Sequence, residues 1–197
     1  MIEVNGLSKK YGDKTVLNRV FLKNDGKVIA LMGESGTGKT TLLRIIAGLE
    51  NEDEGSVMVK GKTAVSFAEP RLFDSFSVLE NVTCVMDGEK SANEVRAKAI
   101  LEKLGIGDAA ALYPTELSSG MAARVSIARA LAYDADNYLF DEPLRALDDE
   151  SRSDVISYLK NELSGKTVMM ITHNLGDATA FCDEIYKLDK GILNKIS

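Results

Sequence analysis

Short apolar runs interrupted by polar positions fill the first third of the chain, and such runs are typical of β-strands. They predict strands over residues 2–7, 16–22 and 27–32. Apolar residues then recur at helical spacing from residue 39 to about residue 47, and Gly48 suits the end of that helix because glycine accepts a left-handed conformation. The pattern therefore places a short glycine-containing segment between an apolar strand and a helix.

The rest of the chain combines helical stretches with isolated apolar strands. Two short strands are predicted over residues 56–60 and 63–67, followed by a largely helical region. Within it, Ser91 and Glu94 have the spacing of a capping box, and the helix that they open is predicted to end at Gly105. The remaining elements are a helix over 119–132, a strand over 137–140, a helix that includes Val155, Leu159 and Leu163, and a strand over 167–172. Strands that alternate with helices indicate an α/β fold with a parallel sheet.

A single domain agrees with the length of 197 residues and with a hydrophobic content of 45%, which is enough for one well-packed core. Helical patterns concentrate in the middle of the chain, so we expect an inserted helical subdomain over about residues 74–132. The segments over about 1–73 and 133–197 would then form the sheet-based core.

Charge and cysteine content narrow the classes of partner and compartment. The chain has 24 Lys and Arg against 30 Asp and Glu, a net charge of −6, which argues against binding to nucleic acid or anionic lipid. Cys84 and Cys182 lie far apart without metal-ligand spacing, which fits a reducing compartment. The sequence has no secretory-signal pattern and no apolar run of about 18 residues, so we expect a soluble, cytoplasmic protein.

The segment between the third strand and the first helix matches the phosphate-binding pattern GxxxxGK[ST]. Its glycines let main-chain N–H groups converge on phosphate oxygens, and the helix N-terminus adds partial positive charge. Lys39 would neutralise the terminal phosphates, and Thr40 would bind Mg²⁺. A chance glycine-rich turn is the alternative, which the position after a strand disfavours. The predicted nucleotide-binding residues here are Gly33, Glu34, Ser35, Gly36, Thr37, Gly38, Lys39, Thr40 and Thr41.

Polar residues with suitable chemistry follow two of the later strands. Asp141 is predicted to bind Mg²⁺, and its neighbour Glu142 to polarise the attacking water. His173 is the only histidine and follows the strand at 167–172, at the end where parallel sheets bind ligands, so we expect it to act at the γ-phosphate. Tyr11 is a candidate for stacking on adenine. Each of these residues alone has a common structural role, and the phosphate loop favours the functional one.

A GTPase is a second interpretation of the same chain. Asn174 and Asp177 have the spacing of the guanine-recognition motif NKxD. Leu175 stands where that motif has lysine, so ATP is favoured over GTP.

The chain also contains Leu117-Ser118-Ser119-Gly120-Met121, where ATP-binding-cassette (ABC) proteins have the signature LSGGQ. The ordered set of motifs, from Tyr11 to His173, closely resembles the nucleotide-binding subunit of ABC transporters over nearly the whole chain. In this resemblance Tyr11 belongs to the aromatic adenine loop and Asp148 to the D-loop. Residues 69–73 and 113–117, with Met121, look like those of importers of the nitrate, sulfonate and taurine type.

The resemblance implies a P-loop NTPase fold of the ABC ATPase type, with a RecA-like core, a mixed central sheet, an N-terminal antiparallel β subdomain and an inserted α-helical subdomain. It implies a homodimer that holds two ATP molecules head to tail. Permease subunits in the membrane, an extracytoplasmic solute-binding protein and attachment to the inner face of the cell membrane through the permease follow from the same resemblance. The residues that it places on the partner's ATP are Ser118, Ser119, Gly120, Met121 and Asp148.

Three positions depart from the family pattern. Ala68 stands where the family has a glutamine that contacts Mg²⁺ and the attacking water, Ser119 replaces a glycine, and Asn174 stands where an acid often follows the histidine. Because alanine offers no oxygen, we expect hydrolysis that is slow or depends on the partner, with ATP binding intact. Two other functions stay open. One is an ATP-dependent regulatory module with weak hydrolysis, and the other is a soluble ABC ATPase of DNA repair or cluster assembly, which the acidic charge disfavours.

Overall fold

Nine strands and six α-helices make up the structure, a computed structural model that describes residues 1–197. The strands are β1 (Ile2–Tyr11), β2 (Lys14–Asn24), β3 (Val28–Met32), β4 (Glu54–Val59), β5 (Thr63–Ser66), β6 (Asn137–Asp141), β7 (Thr167–Ile171), β8 (Glu184–Asp189) and β9 (Ile192–Lys195). The α-helices are α1 (Lys39–Ile46), α2 (Val78–Thr83), α3 (Lys90–Lys103), α4 (Ser119–Ala132), α5 (Asp149–Glu162) and α6 (Leu175–Phe181).

These elements form two compact units. The first unit contains Met1–Val65, Asp136–Glu142 and Leu163–Ser197. The second unit contains Ser66–Ala135 and Pro143–Glu162. The predicted subdomain boundaries near residues 74 and 132 stay a prediction.

The strands form two sheets. The smaller sheet is antiparallel, with the order β2-β1-β4, and the larger has the order β5-β6-β7-β3-β8-β9. Strands β6, β7, β3 and β8 run parallel to one another, and β9 is antiparallel to β8. The expected mixed central sheet and N-terminal antiparallel sheet are thus confirmed.

Burial explains the parallel part of the large sheet. Every residue of β6 and β7 is buried, as is typical of central parallel strands. In the pairing of β3 with β7, Leu31 lies opposite Ile171, and in the pairing of β6 with β7, Asp141 lies opposite the same isoleucine. The carboxyl ends of β3, β6 and β7 therefore meet at one edge of the sheet.

Helices α2, α3 and α4 pack against one another in the second unit, where Val82, Leu101 and Ile127 are fully buried. Helix α3 ends just before Gly105, as predicted. No helix of the chain combines the length and apolar character that a membrane-spanning segment requires.

The predicted capping box at Ser91 is wrong. Helix α3 begins at Lys90 with Glu89 as its N-cap, so Ser91 lies inside the first turn and its hydroxyl donates to the carboxylate of Glu89 over 2.9 Å. A capping box is present one helix earlier, where the hydroxyl of Ser77 accepts from the main-chain N–H of Glu80. The Glu80 carboxylate accepts from the N–H of Ser77 in return, and this hydrogen bond lowers the pKa of that carboxyl.

Candidate functional site

The loop between β3 and α1 is shaped by two glycines with positive φ angles. Gly33 has φ 147°, and a Cβ atom there would lie 2.4 Å from the carbonyl oxygen of Leu188. Gly38 has φ 104°, and a Cβ atom there would lie 2.6 Å from Cγ1 of Val16. Any larger residue at either position requires the neighbouring strand to move, because both contacts are shorter than real Cβ contacts allow.

Lys39 is the first residue of α1, and its ammonium group lies within the loop. The residue is only 6% exposed, and Nζ donates to the carbonyl oxygens of Gly33 and Glu34 over 2.9 and 2.7 Å. Burial lowers the pKa of Lys39, whereas the nearby carboxylates of Glu142 and Asp141 raise it. A buried cation is thus held at the start of a helix, next to the N–H groups of its first turn.

Two oxygen ligands meet where α1 faces the end of β6. The hydroxyl of Thr40 donates to Oδ2 of Asp141 over 2.9 Å, and Asp141 is 5% exposed. Burial raises the pKa of Asp141, while the hydrogen bond from Thr40 and the charges of Lys39 and His173 lower it in part. A hydroxyl and a carboxylate fit Mg²⁺, which usually takes one or two protein carboxylates and completes its shell with water and substrate phosphates. The chain has no cluster of three or more His, Cys, Asp and Glu that would hold a metal by itself.

Glu142 and His173 form a pair at the same sheet edge. Nε2 of His173 lies 3.0 Å from Oε1 of Glu142, and the carboxylate side chain is 14% exposed against 50% for the imidazole. Glu142 has φ 52°, a conformation that costs a residue other than glycine about 1–3 kcal/mol and that clusters at functional sites. Its main-chain N–H donates to the carbonyl oxygen of Ile171 over 3.0 Å, which fixes this conformation against β7.

Tyr11 ends β1, and the residue is 49% exposed. The hydroxyl donates to the carboxylate of Glu50, and this hydrogen bond is the main reason that the pKa of Tyr11 is raised. Sequence reasoning did not identify Glu50, which is 39 residues away from Tyr11 and belongs to no motif.

The signature-like segment lies in the second unit, at the start of α4. Ser118 is the N-cap of α4, and its hydroxyl accepts from the N–H of Met121 over 3.2 Å. Ser118 and Ser119 are both exposed. A Cβ atom on Gly120 would lie 2.9 Å from the carbonyl oxygen of Ala146, so the absence of a side chain at Gly120 lets the segment that precedes α5 approach α4.

Asp148 lies at the end of that segment and serves as a cap for α5. Its carboxylate accepts from the N–H and the hydroxyl of Ser151 over 2.9 and 2.8 Å, and the first of these bonds is the main cause of its lowered pKa. Because Asp148 is exposed, its carboxylate is also accessible to a partner.

Ala68 is exposed in the segment that follows β5. Two residues further on, this segment is held by Arg129 of α4, whose guanidinium donates to the carbonyl oxygens of Pro70 and Arg71 over 2.9 and 3.1 Å. Burial lowers the pKa of Arg129, although the guanidinium stays charged. The sequence contained no signal for this contact, because Pro70 and Arg71 precede Arg129 by 59 and 58 positions in the chain.

The structure therefore brings together the predicted phosphate loop, the Thr40 and Asp141 pair, and the Glu142 and His173 pair within the first unit. Tyr11 lies in the same unit. The other predicted residues, Ser118, Ser119, Gly120, Met121 and Asp148, belong to the second unit.

Comparison with known proteins agrees with this arrangement. The family model for ABC transporters matches residues 18–145, which is more than half of the chain. The aliphatic sulfonates import ATP-binding protein SsuB of Corynebacterium glutamicum is 41% identical over 196 residues, and the match covers 96% of this chain and 81% of that protein. The L-cystine import ATP-binding protein TcyC of Bacillus subtilis is 36% identical, with 98% of this chain and 88% of that protein covered.

Solved structures show the same fold. The dimeric post-hydrolysis structure of the ATP-binding cassette MJ0796 bound to ADP and Pi has a TM-score of 0.92 at 28% identity, with 100% of this chain and 99% of that chain covered. A second dimeric structure of MJ0796, described as a bacterial ABC transporter cassette, also has a TM-score of 0.92, at 29% identity. The chain therefore belongs to the ABC transporter family, as a nucleotide-binding ABC ATPase.

Proposed function

We propose that this chain is the energy-coupling subunit of a membrane importer, and that it works as a homodimer which binds and hydrolyses ATP. The observation that carries the proposal is the edge formed by β3, β6 and β7, where Lys39, the Thr40 and Asp141 pair, and Glu142 lie together. The relatives that match nearly the whole chain are import ATP-binding proteins. They are named for sulfonates and for cystine, so they support import rather than a particular solute.

The site residues suit hydrolysis of a terminal phosphoanhydride. Lys39 and the N–H groups of the phosphate loop bind the phosphate oxygens and neutralise their charge. Thr40 and Asp141 would hold Mg²⁺, which supplies charge stabilisation between phosphate oxygens. Tyr11 offers an exposed ring to the base.

Glu142 is suited to act as the general base for the attacking water. Its carboxylate is nearly buried and is oriented by His173 at 3.0 Å, so the carboxylate accepts a proton while the water oxygen bonds to the γ-phosphorus. The bond from the γ-phosphorus to the β,γ-bridging oxygen breaks, which leaves ADP and inorganic phosphate. His173 is half exposed. In this proposal its imidazole contacts the γ-phosphate.

The exposed start of α4 supports a head-to-tail dimer. Ser118 and Gly120 lie at a helix N-terminus, where main-chain N–H groups favour an anion, and Ser118 is exposed. In the proposed dimer this helix start binds the γ-phosphate that the phosphate loop of the partner holds, with Asp148 close to the same interface. The permease would attach the dimer to the inner face of the cell membrane, and a solute-binding protein would deliver the solute.

The primary test is phosphate release and ATP binding by the purified protein with Mg²⁺, compared with Lys39→Ala. Because hydrogen bonds to charged groups contribute about 1.5–3 kcal/mol, we expect Lys39→Ala to weaken ATP binding about tenfold to a hundredfold. Lys103→Ala removes the same charge from an exposed site on α3 and should change binding by less than about twofold. Equal affinities of the wild type and Lys39→Ala for ATP would show that Lys39 does not bind the phosphates, which would contradict the proposed phosphate-binding role of the loop.

A regulatory module with weak hydrolysis is the second candidate function, and Ala68 is the observation in its favour. Ala68 is exposed and has no side-chain oxygen to bind Mg²⁺ or water. If the missing amide limits turnover, Ala68→Gln should release phosphate faster than the wild type in the presence of a reconstituted permease. Ala68→Leu is the matched variant, since it adds a side chain without an amide and should give no gain. Equal rates for the Gln and Leu variants would show that the missing amide does not limit hydrolysis.

A further inference from the structure

The hydroxyl of Tyr11 is anchored although its ring is exposed. It donates to the carboxylate of Glu50, and Glu50 has a side chain that is only 17% exposed. The ammonium of Lys9 lies over the same ring, 5.6 Å from its centroid. A cation thus lies over the ring, and Tyr11 is still 49% exposed, so it can be reached by another planar group.

Glu50 is itself held by the helix that follows the phosphate loop. Its Oε2 lies 3.4 Å from Nε of Arg44, which is in the last turn of α1. Helix α1 begins at Lys39, so Tyr11, Glu50 and Arg44 form a continuous series of contacts from the exposed ring to the helix that carries the phosphate-binding lysine.

The main chain around Glu50 is fixed independently of this carboxylate. Asp53 accepts from the N–H of Lys10 over 2.7 Å and from Nζ of Lys9 over 3.1 Å, and its own N–H donates to the carbonyl oxygen of Ser8 over 3.0 Å. The end of β1 is therefore attached to the 50–53 segment by Asp53. Removing the Glu50 carboxylate should remove the main hydrogen bond of the tyrosine hydroxyl, which then keeps only its weaker contact with the Thr41 side chain, while leaving the strand in place.

We propose that Glu50 is a positioning residue for the nucleotide base: its carboxylate holds the Tyr11 hydroxyl, and Arg44 ties that carboxylate to the helix that binds the phosphates. This inference rests on the proposed function, because it requires the base of ATP to stack on Tyr11. A base stacked on an aromatic side chain gains affinity only if the ring is presented in the correct orientation. An exposed tyrosine with a free hydroxyl samples several rotamers, and fixing one of them on binding has an entropic cost. The Glu50 carboxylate removes that cost before the nucleotide arrives.

The test compares ATP with inorganic tripolyphosphate, which has the phosphates without the base. For Glu50→Met we expect ATP affinity to fall about threefold to tenfold, the range of one hydrogen bond, with no loss of tripolyphosphate affinity. Simple electrostatics gives the opposite sign, because removal of a negative charge strengthens binding of either anion. Glu52→Met is the matched control, since it removes an acidic side chain from the same segment and should not weaken ATP binding.

Two further variants test whether Glu50 changes ATP affinity through the hydroxyl of Tyr11. Tyr11→Phe keeps the ring but lacks the hydroxyl, so Glu50→Met should cause no additional loss of ATP affinity in a Tyr11→Phe background. Glu50→Gln retains a carbonyl acceptor for the tyrosine hydroxyl and should recover most of the ATP affinity. Thermal unfolding of each variant confirms that it is folded at the temperature of the assay.

The possible outcomes separate this inference from the proposed function. Parallel loss of ATP and tripolyphosphate affinity in Glu50→Met, or losses that add in the double variant, would overturn the positioning role. If Tyr11→Ala weakens ATP binding while Glu50→Met does not, the base contact stands and only the role of Glu50 fails. If Tyr11→Ala leaves ATP affinity unchanged, the base contact in the proposed function fails as well.

Discussion

The candidate residues of the first unit bind one another, whereas those of the second unit are largely exposed. Lys39 and Asp141 are 6% and 5% exposed, and each has a hydrogen-bond partner within the phosphate loop or α1. Ser118 and Ser119 are exposed at the start of α4, and the hydroxyl of Ser118 accepts only from its own helix. The first unit thus places a buried ammonium group, a hydroxyl and two carboxylates at one sheet edge, while the second unit exposes a helix N-terminus.

The glycines of the two regions show the same contrast. At Gly33 and Gly38 the space for a Cβ atom is taken by β8 and β2, so these glycines fix the loop inside its own unit. At Gly120 the neighbour is the carbonyl oxygen of Ala146, on the segment that leads to Asp148. Close packing at Gly120 therefore holds two exposed segments side by side, which suits a surface that is completed by a second molecule.

Replacement of the proposed general base, Glu142, should change turnover more than any other substitution in the first unit. Glu142→Gln keeps the size of the side chain and a hydrogen bond to His173 but cannot accept a proton, so turnover should fall about 10²- to 10⁴-fold. ATP affinity should not fall, because the phosphate contacts proposed for Lys39 are unchanged and removal of the Glu142 charge lowers the repulsion of the γ-phosphate. Phosphate release and equilibrium ATP binding measure the two quantities. Glu150→Gln, an exposed change in the first turn of α5, is the control for loss of a carboxylate.

Wild-type turnover in Glu142→Gln would show that this carboxylate is not the general base. The buried site of the first unit would then lack a group that accepts the proton.

The phosphate loop was predictable from the sequence because its chemistry is local. All of its residues follow one another between a strand and a helix, so the motif can be recognised without any contact from elsewhere in the chain. The pairing of Thr40 with Asp141 spans 101 residues, yet it follows from the rule that the ends of parallel strands meet at one edge. The fold class could be predicted in the same way, from apolar strands that alternate with helices.

Contacts that no periodic pattern encodes were missed. Glu50 reaches Tyr11 across 39 residues, and Arg129 reaches Arg71 across 58, through side-chain hydrogen bonds that depend on the packed structure. The capping box at Ser91 was predicted from spacing alone and proved wrong because the helix starts at Lys90, two residues before the start that an N-cap at Ser91 requires. The same spacing identifies Ser77 and Glu80, where the helix start agrees with it.

A mixing experiment tests whether the two regions act on one ATP from different subunits. Lys39→Ala impairs the phosphate loop and leaves α4 intact, whereas Ser118→Arg places a bulky side chain at the exposed start of α4 and leaves the loop intact. Each variant alone should lack most of its turnover. Mixed dimers contain one site with both wild-type parts, so the mixture should regain part of the phosphate release.

Recovery should depend on total protein concentration, since the active species is a dimer. Mixtures that form dimers by sedimentation but regain no phosphate release would contradict the assignment of Ser118 to the partner's site. Full turnover of Ser118→Arg by itself would show that the start of α4 has no part in hydrolysis.

Replacement of Ser119, the first residue of α4, should change stability and turnover only slightly. Ser119→Gly should lower the free energy of unfolding by up to about 1 kcal/mol, because glycine loses more conformational entropy in a helix. If its Cβ atom crowds the phosphate of the partner's ATP, the same change should raise turnover by less than about tenfold, within the range of one contact. Ser91→Gly, an exposed serine in the first turn of α3, should show the stability loss without the gain in rate. Thermal unfolding and phosphate release distinguish these outcomes, and lower turnover in Ser119→Gly would mean that the serine hydroxyl contributes to the contact.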